Sequence, residues 1–240
     1  MEAGAAAILF LGFVLGMRHA LDADHVVAVS TLISKNKSLL KASLLGTFWG
    51  LGHTSTLLLV GLVVLILKLT IPPKVALSME FAVGIVLVLL GVSVTKEFLM
   101  DKIHLHRHTH GREDEDRPHI HIHSHKEAPD HSHHHLKAEH KTFLVGMVHG
   151  LAGSAALMLL VLTTVGSLFQ GVLYILVFGL GSIMGMTAIS TLISIPFTVS
   201  AEKFEVFNYR LRLTAGFLSI ALGTAIILQI GFREGLIYAI

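Results

Sequence analysis

Five ionisable side chains stand together in one apolar stretch: Arg18, His19, Asp22, Asp24 and His25, flanked by Ala3 to Met17 and by Val26 to Ile33. Ionisable groups inside a membrane-spanning segment are costly and mark a ligand site or an ion path. The pattern His-x4-Asp-His, with Asp22 inside it, offers imidazole and carboxylate donors. Such a set suits divalent nickel, cobalt or zinc better than magnesium or calcium, which prefer oxygen alone. Cysteine is absent, so disulfides and thiolate ligands are excluded. On an unbroken helix His19 and His25 would point about 120° apart and stand about 9 Å apart along the axis, a poor arrangement for one ion. The helix is therefore expected to break or distort between them, with Asp24 and both histidines turned toward His53. Arg18 and Asp22, four apart on one face, are expected to neutralise each other.

Two further histidines lie in apolar surroundings. His53 sits in Gly50-Leu51-Gly52-His53-Thr54-Ser55, where small residues let helices approach closely and a polar side chain face the bundle interior. His149 sits in Gly146-Met147-x-His149-Gly150-Leu151. Either could be a packing histidine bonded to a neighbouring helix; the ligand reading is preferred for both. The candidate metal set is His19, Asp22, Asp24, His25, His53 and His149. A further 13 of the 17 histidines fall between Asp101 and Lys141, alternating as His104, His106, His108, His110 and His119, His121, His123, His125. This insert is polar and nearly free of aromatics, which predicts a disordered segment able to bind transition metals weakly.

The elements that must position these groups follow from composition. Residues are 53% hydrophobic and 14% charged, with a mean hydropathy of +0.73, which excludes an ordinary soluble globule and predicts an all-α polytopic membrane protein. Fifteen of the 34 charged residues lie between Asp101 and Lys141, and the net charge of +2 is too small to suggest nucleic acid as a partner. The Met-Glu start lacks the basic region of a signal peptide, so Ala3 to Met17 is read as part of the first span.

About six spans are expected: Ala3 to Ile33, Ala42 to Leu67, Met79 to Phe98, Thr142 to Gly166, Val172 to Ile195 and Leu211 to Ile230, with Pro72-Pro73 forcing a turn and Pro196 ending the fifth. An internal repeat underlies them. Gly16-Met17-x-His19-Ala20-Leu21 recurs as Gly146-Met147-x-His149-Gly150-Leu151, Gly50-Leu51-Gly52-His53 as Gly179-Leu180-Gly181-Ser182, and Gly84 with Gly91 as Gly216 with Gly223. Three spans per half imply a 3+3 inverted repeat: 1–100 carrying the metal motif, 101–141 the His-rich insert, and 142–240 the second half. The second half has lost the acids, with Ala152, Gly153 and Ser154 standing where Asp22, Ala23 and Asp24 stand in the first. Loop charge orients the chain. Fourteen Lys and Arg, from Lys35 to Arg212, flank one side against Lys68, Lys74 and Arg233 on the other, which predicts a cytoplasmic insert and external termini in a plasma-membrane protein.

The stretch Arg18 to His25, RHALDADH, resembles the signature of the nickel/cobalt permease family (NiCoT, within the NicO superfamily), and Leu51-Gly52-His53-Thr54-Ser55 resembles its second motif. The resemblance implies high-affinity nickel or cobalt uptake, with the metal as transported substrate, no cofactor, and essential roles for His19, Asp22, Asp24, His25 and His53. Such permeases typically have eight spans and acidic motifs in the second half. The six spans and His149-Gly150-Leu151-Ala152-Gly153-Ser154 of this chain are closer to the compact branch often labelled urease accessory membrane proteins. The His-rich insert is similar to that of the efflux branch, which usually carries Glu-Pro-Gly-His where this chain has Asp-Ala-Asp-His.

The function expected is a secondary permease and not an enzyme. No Gly-x4-Gly-Lys-Ser/Thr phosphate loop is present, and a dication entering a negative-inside cell gains about 4.6 kcal/mol per 100 mV, enough to drive uptake. Expected partners are a divalent metal ion and the lipid bilayer; a second copy of the chain and a metalloenzyme maturation system are left open. Three readings compete: efflux by the same fold, an intramembrane zinc hydrolase, and a metal-buffering accessory protein working through the insert. The hydrolase lacks a His-Glu-x-x-His motif.

Overall fold

The computed structural model describes residues 2–34, 36, 38–100, 104–108, 119–123, 134–164 and 167–237. Lys35, Lys37 and most of the insert, including His110, His125 and His131, lie outside them, as does the side chain of Ser154. The described chain is overwhelmingly helical: α1 (Glu2–His19), α2 (Ala23–Ile33), α3 (Leu39–Leu67), α4 (Pro73–Met100), α5 (His134–Thr164), α6 (Leu168–Lys203) and α7 (Glu205–Leu228), the last continuing into a π-helical turn over Gln229–Arg233. Two short insert strands, β1 (His104–His108) and β2 (His119–His123), pair antiparallel, with His104, His106 and His108 opposite His123, His121 and His119.

Among the described residues, four helices are long and apolar enough to cross a membrane, and α1 with α2 makes a fifth span if the bent pair counts as one. Leu59, Leu89, Leu192 and Phe10 are more than half exposed on their outer faces, as expected of helices solvated by lipid. Together these make the chain an integral membrane protein.

Local chemistry explains where the helices stop. Lys68 closes α3 in the left-handed conformation (φ 50°) with its N–H bonded to the Val64 carbonyl, and Pro73 opens α4 at a position where its missing N–H costs nothing. Pro196 does not end its span. Helix α6 runs through it to Lys203, as spanning helices tolerate proline, and hydroxyls on either side bond back to the backbone: Ser194 Oγ donates to Thr191 O (2.7 Å) and Thr198 Oγ1 to Ser194 O (2.9 Å).

Helix α3 is central, packed on α5 and α6; α1 lies on α6, α4 on α7, and α2 reaches between α7, α4 and α6. Glycines set how close these pairs come. A Cβ at Gly16 would strike the Phe178 carbonyl, and one at Gly181 the Phe13 carbonyl, so α1 and α6 meet backbone to backbone. On the other side of α3, Gly146 abuts the Trp49 carbonyl, Gly52 the Phe143 carbonyl and Gly150 the His53 carbonyl. Gly84 and Gly223 face each other across α4 and α7, as do Gly91 and Gly216. A few side-chain bonds add to this contact: Thr54 Oγ1 donates to Gly179 O (3.2 Å) and Ser219 Oγ to Leu87 O (2.7 Å). Such small-residue packing is how helices associate where apolar surface alone gives no preference for protein over lipid.

Candidate metal centre

The break expected between His19 and His25 is present. Helix α1 ends at His19, α2 begins at Ala23, and the two axes differ by 54°. At the joint the Ala20 N–H reaches Gly16 O only at 3.4 Å, and Leu21 and Asp22 turn back onto Arg18 O (2.9 Å) and His19 O (3.1 Å). Asp22 is extended (φ −61°, ψ 146°) and its carbonyl accepts the first bond of α2, from Val26 N. Leaving the helix carries Asp22 off the face of Arg18. Its carboxylate takes Nδ1 of His19 at 2.8 Å, so the expected Arg18–Asp22 pair gives way to a carboxylate–imidazole pair.

The bend brings three imidazoles together. Ring centroids lie 4.6 Å apart for His19 and His25, 5.1 Å for His19 and His53, and 5.3 Å for His25 and His53. One ligand nitrogen from each falls within 4.8 Å of the others. Nitrogens bound at about 2.1 Å to one tetrahedral ion stand about 3.4 Å apart, so a contraction of up to about 1.4 Å completes the site. His53 is fully buried and, among the described residues, both its ring nitrogens lack a hydrogen-bond partner, as does Nε2 of buried His25. Unpartnered buried nitrogens are expensive, and a cation they could bind together would account for them.

The carboxylates stand behind the rings. His25 Nδ1 donates to Asp24 Oδ1 at 3.0 Å as His19 Nδ1 donates to Asp22. An ionised carboxylate only accepts, so each pair fixes the N–H on Nδ1 and leaves the Nε2 lone pair for a metal. Asp24 thus orients His25 and stays outside the three-nitrogen group. His149 sits one ring further on, 5.4 Å from His25, with Nδ1 donating to Val145 O (3.1 Å) and Nε2 unpartnered. Trp49, which the sequence reading passed over, stacks on His25 (5.3 Å, 24° between planes) and meets His149 edge-on. Its only signal was the i, i+4 spacing to His53.

Replacing Asp22 or Asp24 by asparagine keeps the shape but frees the tautomer and weakens the imidazole as a ligand. Each change is expected to lower nickel affinity by about 10- to 100-fold in equilibrium titration, with little change in melting temperature. An unchanged affinity in both variants would show that the carboxylates do not orient ligands.

Comparison with known proteins places the chain among relatives. The urease accessory protein UreH of Bacillus sp. (strain TB-90) is 42% identical over 243 aligned positions, spanning 96% of this chain and 94% of that protein. Two Arabidopsis thaliana proteins, chloroplast protein FOR GROWTH AND FERTILITY 2 and 1, are 26% and 24% identical over 91% and 95% of this chain. The chain spans only 55% and 60% of their lengths. No solved structure matches. Residues 5–233 match the model of a transport family, and with the UreH likeness this places the chain in the NicO family, described as high-affinity nickel-transport protein.

Proposed function

We propose that the protein is a secondary permease carrying nickel, and cobalt by the same donor chemistry, into the cell through the His19, His25 and His53 cluster, with Asp22 and Asp24 orienting two of the ligands and His149 as the next imidazole on the path. The observation that carries this reading is the set of unpartnered ring nitrogens gathered at a broken span in the bundle interior. Imidazole is a good ligand for late first-row dications, and a site of neutral nitrogens with carboxylates held behind them can bind the ion without trapping it.

We read the bundle as six spans in a 3+3 inverted repeat, an arrangement that would suit transport. Helix α5, 31 residues long, is the sixth span in this account. The glycine contacts repeat between the halves: Gly16 meets Phe178 as Gly146 meets Trp49, and Gly52 meets Phe143 as Gly181 meets Phe13, each pair related by an offset of 129 or 130. The lysine and arginine distribution favours a cytoplasmic insert. The likeness to a urease accessory protein fits a role in supplying metal to the assembly of a metalloenzyme.

Proteoliposomes decide the function. With a nickel-sensitive dye inside and a potassium diffusion potential, negative inside, the protein is expected to admit nickel at a rate that rises with the potential and is lost in His25→Ala. Nickel movement only outward against a proton gradient would replace uptake by efflux, and no movement in either direction would sink the permease.

A further inference from the structure

We propose that an acid-lined recess beside the histidine cluster is the port by which the metal reaches it, with Glu80 and Gln229 as the first groups to hold the ion and Gly153 as the threshold. This rests on the permease reading above. The recess, about 270 Å³, is lined by Asp24 of α2, Glu80 of α4, Gly153 of α5, Ile226 of α7, and Gln229 and Ile230 of the π-helical turn. It therefore joins elements from both halves of the chain.

Glu80 is the only ionisable residue of α4 between Lys74 and Lys96, and it forms no ion pair among the described residues. It is exposed, two turns from the start of α4, where a carboxylate draws cations toward the recess. Gln229 donates its Nε2 to Glu234 Oε1 (3.1 Å), which leaves its side-chain oxygen to accept or coordinate. The π turn that carries Gln229 breaks the regular helix at the recess, and π segments recur at functional sites.

The inner wall reaches the cluster directly. Asp24 lines the recess and also holds His25. A Cβ placed on Gly153 would stand 3.3 Å from His19 Nε2 and 3.7 Å from His53 Cε1, so this recess-lining glycine lies in van der Waals reach of both rings. His53, fully buried and unpartnered at both nitrogens, lies just past that glycine. The two compartments differ in chemistry. Carboxylate and amide oxygens attract hydrated dications of many kinds, whereas imidazoles favour the later transition metals. Capture and selection are thus separated in space. The recess lies toward the bundle end that holds the α3–α4 turn and residues 229–237, the external end in the orientation proposed above.

The absence of native cysteine makes the test clean. Ile226→Cys in the full chain, reconstituted in nanodiscs, is expected to react with a bulky, charged methanethiosulfonate, and the labelled protein to bind nickel at least about tenfold more slowly in stopped flow. Glu80→Gln is expected to slow association about threefold or more, since it removes a steering charge, while leaving the equilibrium affinity of the cluster within about twofold. It carries the test alone if Ile226→Cys does not fold. An unreactive Cys at 226 in folded protein, an unslowed labelled protein, or a Glu80→Gln variant that loses equilibrium affinity as much as rate would overturn the port. Wild-type protein that binds nickel but shows no flux would overturn the permease alone, because the association rates decide the port without transport.

Discussion

His53→Ala is expected to lose nickel affinity by more than about 100-fold and to abolish nickel flux, while the metal-free protein stays folded. The first part follows from the ligand set: three nitrogens become two, and among the described residues no other histidine or carboxylate joins that three-nitrogen group. Orienting residues alone are worth about 10- to 100-fold in affinity, so a ligand should be worth more. The second part follows from the cost of the native side chain. Truncating a buried side chain of this size costs about 2–5 kcal/mol, yet here it also removes two unpartnered nitrogens that each cost about 1–3 kcal/mol without metal. The two effects largely offset. Metal-free wild type and variant should therefore melt within a few degrees of each other, and only the wild type should be stabilised strongly by nickel. A variant that keeps its affinity would remove His53 from the site.

Gly146→Leu should have a large effect on the fold. A Cβ there would collide with the Trp49 carbonyl and stand 2.5 Å from its Cδ1, and neither the α3 backbone nor a fully buried indole can move aside cheaply. Overpacking of this kind costs about 1–3 kcal/mol or more, a fall of roughly 5 °C or more in melting temperature for a chain of this length. Metal binding should fall with it. Trp49 stacks on His25, and Gly150, one turn along α5, holds the same helix against His53. Thermal melts read together with nickel titration check the coupling: a destabilised variant with wild-type affinity would mean that α5 does not position the cluster.

The break at His19 to His25 was legible because helical geometry is rigid: two ligands six residues apart cannot share an ion on a straight helix. That argument undercut the pairing of Arg18 with Asp22, which assumed a straight helix through the same residues. Pro196 was misread for a different reason. A rule that holds in water, where freed carbonyls are hydrated and the chain can turn away, does not hold in a spanning helix with hydroxyls at hand. Trp49, Glu80 and Gln229 come to the site from α3, α4 and the end of α7, and neither pattern nor spacing within one segment shows which segments will meet. Glu80 did leave a trace, as a lone acid in an apolar run. The positions of Asp22 and Asp24 were legible, but not that each carboxylate would meet a histidine Nδ1, since spacing alone does not say which way a carboxylate turns.

The 54° bend has a thermodynamic consequence. Straightening α1 and α2 into one helix would return His19 and His25 to about 9 Å of axial separation and opposite-leaning faces, and would dissolve the chelate. Backbone curvature and metal affinity are then two readings of one variable. By reciprocity, whatever factor the bend contributes to affinity, the bound ion returns as a bias toward the bent form. In the permease proposed above, a movement of the bundle that flattens the joint would itself release the cargo.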